Sequence, residues 1–224
     1  LRYGVALSVA LFALSANADL QQELDNLAPG SSFQLPPETL SPLAIRVPGV
    51  SVSCAPETVI DGGGHGNAVE ILAEAITFSG CQVRNWGKDL NELDAGIFVA
   101  REAQGSVVEN NRLQGPAFGV WLDATPDVTV RENHIRGDTS LRSQDRGNGI
   151  HLFNTTGALI EGNDISETRD AIYIETANRN TIRGNVMSDL RYGIHYMYSM
   201  HNLLENNVTR GTRTGYALMQ SKYL

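Results

Sequence analysis

Hydrophobic and polar residues along this chain repeat in two registers. The segments Ala95-Gly96-Ile97-Phe98-Val99, Phe118-Gly119-Val120-Trp121-Leu122, Asn148-Gly149-Ile150-His151-Leu152, Asp170-Ala171-Ile172-Tyr173-Ile174, Tyr192-Gly193-Ile194-His195-Tyr196 and Thr214-Gly215-Tyr216-Ala217-Leu218 share one pattern. Their small residues fall at 96, 119, 149, 171, 193 and 215, giving spacings of 23, 30, 22, 22 and 22. A second register, an aliphatic followed three residues later by asparagine, runs through Val108/Asn111, Val130/Asn133, Ile160/Asn163, Ile182/Asn185 and Leu204/Asn207. The two registers agree, insertion included. Short aliphatic runs with Gly and Asn punctuation at this period predict an all-β fold, a parallel β-helix. Its coils stack about 4.8 Å apart, because no single coil can bury its own apolar face. The leucine-dense consensus of leucine-rich repeats is absent.

The extra residues near Asp138 to Arg146 read as a loop leaving the coil, and Trp86 to Leu93 as a similar excursion. Upstream, Val50–Val52, Val59–Gly62 and Ala75–Phe78 extend the stack. Before them Leu20, Leu24 and Leu27 recur at helical spacing and Ala28-Pro29-Gly30 ends the pattern, which predicts a short capping helix. Arg2, the apolar run Val5 to Leu14 and the small-x-small end Ala16-Asn17-Ala18 read as a secretory signal peptide, too short to span a bilayer. No other segment approaches transmembrane length. The expected organisation is a signal peptide over 1–18, an N-terminal cap over 19–43 and a β-helix over 44–224. That β-helix is expected to be incomplete at its C-terminus, since Leu224 stops within a coil.

Of the 224 residues, 17 are basic and 25 acidic, a net charge of −8 that argues against a general nucleic-acid binder. Two cysteines, Cys54 and Cys81, exclude a disulfide-framework miniprotein and a four-cysteine zinc site. They lie about one repeat apart in an exported chain, which permits a disulfide and equally a pair of buried thiols. The recurrent asparagines read as structural: asparagine tolerates a left-handed bend, and stacked amides can hydrogen-bond from coil to coil.

Strand alternation points the first and third residues after each small residue inward. The second then faces out, giving the column Phe98, Trp121, His151, Tyr173, His195 and Ala217. A second outward column holds Ala100, Asp123, Phe153, Glu175, Met197 and Met219. A row of exposed aromatic rings is the mark of a partner-binding surface, here Phe98, Trp121, His151 and Tyr173. All four methionines lie late in the chain, at 187, 197, 200 and 219. His195, Met197 and Met219, with Met200 and His201 in the adjoining turn, form a thioether and imidazole set suited to Cu(I). Asp123, Glu175 and His151 offer a second chemistry, the acid and base groups of a carbohydrate-active β-helix enzyme. A protein-docking solenoid that binds no metal is a third reading.

The stretch Asp189-Leu190-Arg191-Tyr192-Gly193-Ile194-His195-Tyr196-Met197-Tyr198, followed by Gly215-Tyr216-Ala217-Leu218-Met219, resembles the NosD family. These are periplasmic copper-maturation proteins of nitrous oxide reductase. The resemblance implies a right-handed parallel β-helix and a non-enzymatic assembly factor in the periplasm. It would work with an ABC transporter membrane complex, a copper chaperone lipoprotein and nitrous oxide reductase. It also implies a longer chain, and it fixes no metal ligand residue by residue.

Overall fold

The computed structural model describes residues 19–223, so the expected signal peptide over 1–18 lies outside the described residues. Each coil contributes one strand to each of three parallel sheets, and each sheet has eight strands. The first sheet runs from Ser32–Leu35 to Leu203–Glu205 and the second from Thr39–Leu40 to Val208–Arg210. The third runs from Leu43–Ile45 to Thr214–Met219 and carries the register with the small residue. Among the described residues no helix is long and apolar enough to cross a membrane.

The core is the set of inward residues stacked coil on coil. Ile97, Val99, Val120, Leu122, Ile150, Leu152, Ile172, Ile174, Ile194 and Tyr196 are fully buried, as the alternation requires. Met187 packs in the same core, an ordinary coil residue. A helix over residues 19–25 closes the first end. Leu24 enters the core, and Leu20 and Leu27 pack against it. The Gln21 amide does for the edge strand what a neighbouring strand would. It donates to the Ala44 carbonyl at 2.8 Å and accepts from the Ala44 N–H at 3.0 Å. Pairing starts at Ser32–Leu35, so the segment expected as a cap also holds strands of the first coil.

Two features resolve what the pattern left open. Cys54 and Cys81 form a disulfide with Cα atoms 5.0 Å apart, tying neighbouring coils together. The asparagines form a buried ladder. Asn111 donates to Asn133, Asn133 to Asn163, Asn163 to Asn185 and Asn185 to Asn207, at 2.9 to 3.0 Å. The left-handed bend sits one residue earlier than expected, at Asn110, Glu132, Gly162, Gly184 and Asn206. The ladder asparagine therefore serves as hydrogen-bonding hub, and its neighbour makes the turn.

Trp86 corrects the expected excursion. Its ring turns into the core and fills space beside Gly115 and Gly96, where a Cβ would meet it at 2.6 and 3.0 Å. Only the residues after it leave the coil, and they fold back over the outer side of the third sheet through Leu90 and Leu93.

Candidate functional site

The outer side of the third sheet departs from simple alternation at the small residue. Strand pairing joins Asp170 to Tyr192 and Ile172 to Ile194, stepping over the small position between. A Cβ on Gly193 would meet the Thr209 methyl at 2.3 Å, so the small residue points inward, as the next residue does. Two consecutive inward positions shift the preceding residue to the outer side. Asp170 thereby joins the face that carries the rings, a placement that strict alternation misses.

There Asp170 holds two partners. It accepts from Arg191 Nε at 2.8 Å and Nη2 at 2.6 Å, and from His195 Nδ1 at 2.9 Å. Burial alone would raise its pKa, but the hydrogen bonds from Arg191 and His195 outweigh it and hold the carboxyl below the usual range. The same contact raises the Arg191 pKa. With Nδ1–H donated to a carboxylate, the His195 lone pair lies on Nε2, which is buried and has no hydrogen-bond partner. The Tyr173 and Tyr192 rings pack against the imidazole at 4.4 and 5.2 Å and cover it.

His151, two coils away, is arranged differently. Nε2 lies 3.2 Å from Glu175 Oε2, and Nδ1 lies 3.2 Å from Asn148 Nδ2. An amide nitrogen can only donate, so Nδ1 accepts and Nε2–H donates to the carboxylate. Burial lowers the His151 pKa, which keeps the ring neutral, while the hydrogen bond from His151 lowers that of Glu175. Asp123, the other acid of the carbohydrate reading, pairs in register with Phe153, and Phe153 with Glu175, so two coils separate the acids.

The ring column is in register as expected: Phe98, Trp121, His151, Tyr173, His195 and Ala217 pair in sequence. It is not the exposed row that the pattern suggested. Trp121, His151 and His195 are 5%, 4% and 7% exposed, and only Phe98 and Tyr173 show partial surface. Neighbouring rings bury one another, with Trp121 and His151 centroids 4.1 Å apart, and Leu90 and Leu93 cover one end.

Of the proposed metal ligands, Met197 and Met219 pair directly across adjacent coils, with Glu175 below Met197 in the same column. Met219 is exposed and Met197 half-buried. Met200 and His201 lie at the following corner. Met200 bridges to Lys222, and the His201 ring stacks on Tyr223 at 4.8 Å. Among the described residues, no three His, Cys, Asp or Glu side chains converge as a metal site. The donor set that remains fits a soft cation: one unpartnered imidazole nitrogen, the Met197 thioether two residues along the strand, and the Met219 thioether beside it on the next coil. Asp170, Arg191 and Asn148 escaped the sequence reading, although the position before each small residue reads Phe118, Asn148, Asp170 and Tyr192. That polar and aromatic run was the available signal.

These features define a class: a parallel β-solenoid with a buried ring ladder and a carboxylate-held histidine on one side. Solved structures share the fold. A PL6 alginate lyase superposes with a TM-score of 0.62 at 17% identity, covering 88% of this chain and 52% of that one. The periplasmic alginate epimerase AlgG superposes at 0.59 and 13%, covering 92% and 53%. The chain belongs to the NosD family, whose model, described as "Periplasmic copper-binding protein (NosD)", matches residues 131–224. A "Probable ABC transporter binding protein NosD" from Pseudomonas aeruginosa is 53% identical over 117 residues, covering 52% of this chain and 27% of that protein. Its namesake from Stutzerimonas stutzeri is 42% identical over 174 residues, covering 75% and 40%. The chain thus spans less than half the length of these relatives. The family is periplasmic, as the expected export signal requires.

Proposed function

We propose that this chain is part of a periplasmic accessory protein for copper-site assembly of nitrous oxide reductase. It takes Cu(I) as cargo on the face formed by His195, Met197 and Met219, with Met200 and His201 at its margin. It acts by binding and hand-over and not by catalysis. The observation that carries this reading is His195 Nε2, left without a partner while Asp170 fixes Nδ1. A carboxylate on the distal nitrogen is the usual support for a metal-binding imidazole, since it sets the tautomer and raises ligand basicity. The thioethers at 197 and 219 add soft donors that favour Cu(I) over zinc or calcium. Because Tyr173 and Tyr192 cover the imidazole, loading requires one of these rings to swing aside.

The NosD relatives are described as ABC transporter binding proteins, which supports docking to a transporter membrane complex. A copper chaperone lipoprotein and the reductase complete the expected partners. Docking over the ring column would use Phe98 and Tyr173, with Trp121 and His151 supporting them from beneath. The test is a Cu(I) titration against a competing chelator for the parent chain and for His195→Ala, Met197→Ala and Met219→Ala, with His151→Ala as control. Weaker binding in the first three and not the control is expected. Equal binding in all variants removes this site.

A further inference from the structure

The cavity that His195 lines also holds polar atoms that the copper reading does not use. Setting His195 Nε2 aside, six buried side-chain atoms among the described residues have no hydrogen-bond partner. Three of the six, Trp121 Nε1, Asn148 Oδ1 and Arg169 Nε, belong to residues that line a single cavity of about 280 Å³. Buried polar atoms are almost always satisfied, so three orphans around one cavity mark the position of a polar occupant. Two of the orphans are donors and one is an acceptor.

The charges around the cavity narrow the class. Arg146, Arg169 and Arg191 all line it, against one acid, Asp170. Arg191 is committed to Asp170. Arg146 donates to the carbonyl oxygens of Leu141 and Glu167. Among the described residues, Arg169 has no carboxylate partner. Its backbone N–H bonds to Gly147 and its carbonyl accepts from Arg191, which stacks the Arg169 and Arg191 positions on adjacent coils at the cavity wall. An excess of guanidinium in a chain of net charge −8 selects an oxyanion.

An oxyanion alone leaves Asn148 Oδ1 unsatisfied, because that atom accepts and a carboxylate has nothing to donate. The occupant must therefore also carry a hydroxyl. Leu90, Leu93 and Phe118 also line the cavity, and with the Trp121 ring they offer apolar surface that suits a face of C–H groups.

We propose that this cavity binds a small hydroxy-carboxylate of the sugar-acid or hydroxy-acid class. The carboxylate accepts from the Arg169 guanidinium and the Trp121 indole N–H. A ligand hydroxyl donates to Asn148 Oδ1, and its carbon skeleton lies against Leu90 and Leu93.

Isothermal titration of the chain with D-glucuronate and L-malate tests this, with D-glucose and acetate as partial mimics that lack the charge or the hydroxyls. Saturable one-to-one binding of at least one hydroxy-carboxylate is expected, at least tenfold tighter than either mimic. Arg169→Gln and Asn148→Leu should each weaken it at least tenfold while near-ultraviolet circular dichroism stays unchanged. Should either variant lose that native signal, quenching of Trp121 fluorescence by glucuronate in the parent chain, present in Trp86→Phe and lost in Trp121→Phe, replaces it. Absence of binding by both hydroxy-carboxylates means the cavity holds water only and overturns the proposal. Equal affinity for acetate, or undiminished binding in Arg169→Gln, overturns it as well. Because His195 lines the same cavity, loss of Cu(I) binding in His195→Ala with glucuronate binding retained would show that the two ligands use different residues of it.

Discussion

Replacing Asp170 with asparagine preserves size and one carbonyl acceptor but removes the charge that organises the site. The Asp170 side chain is 1% exposed, and Arg191, its partner, is 25% exposed. Removing one member of a buried ion pair costs about 3–5 kcal/mol, because an uncompensated charge stays behind. Arg191 reaches solvent and lies 4.5 Å over the Tyr192 ring, so the lower end, about 3 kcal/mol, is expected. The pH dependence follows from the lowered carboxyl pKa. A depressed folded-state value stabilises above the unfolded pKa of about 4, and the contribution is lost as pH falls through the folded value. The gap between parent and Asp170→Asn should therefore be full at neutral pH and close in acid. Urea unfolding by linear extrapolation across that range measures it. The double variant Asp170→Asn/Arg191→Gln should recover part of the loss, since it removes the stranded charge. A gap under about 1 kcal/mol at neutral pH, or one unchanged in acid, refutes the assignment.

Three further outcomes are expected. Asn163→Ala should cost about 2–4 kcal/mol in urea unfolding, since Asn163 accepts from the Asn133 N–H and amide and donates to Val130 and Asn185. Asn207→Ala, at a half-buried rung, should cost less, and equal costs would contradict a ladder whose strength comes from burial. Reducing the Cys54–Cys81 bond should lower stability by about 3–4 kcal/mol for a loop of 27 residues, read by unfolding with and without reductant, and no change would refute it. For His151, burial lowers the pKa, so the unfolded chain takes up the proton first and stability falls as pH drops below about 6.5. An NMR titration should find its midpoint below the ordinary histidine value of about 6.5, and a midpoint at or above that would contradict this.

The period, the inward residues and the pairing of the ring column were legible because a solenoid writes one rule into every coil. What escaped came from departures at single coils. Trp86 precedes an irregular stretch and so reads as loop, yet Gly96 and Gly115 vacate the space its ring fills. Asp170 was hidden because a small inward residue shifts the alternation by one, a shift visible only in the pairing of neighbouring coils. Alternation reports direction and not cover, so the ring column reads as exposed; the cover comes from neighbouring rings and, at one end, from Leu90 and Leu93 on a segment outside the repeat.

The strongest functional discrimination on this face lies between two histidines at equivalent positions. His151 and His195 occupy the same column, separated by Tyr173, and each has a carboxylate partner. The carboxylates reach opposite nitrogens. Glu175 approaches His151 from two positions further along the strand and takes Nε2, while Asn148 occupies Nδ1. Asp170 approaches His195 from the other side, across the shifted small residue, and takes Nδ1. His151 is therefore closed at both nitrogens, and His195 keeps one lone pair. The second outward column changes at the same place. Glu175 accompanies the closed histidine, whereas the thioethers of Met197 and Met219 accompany the open one. A repeat fold ordinarily makes successive coils equivalent. Here one strand carries both acids, Asp170 at its start and Glu175 at its end, and the histidines of the two flanking coils differ as a result: one is closed at both nitrogens and the other keeps Nε2 without a partner.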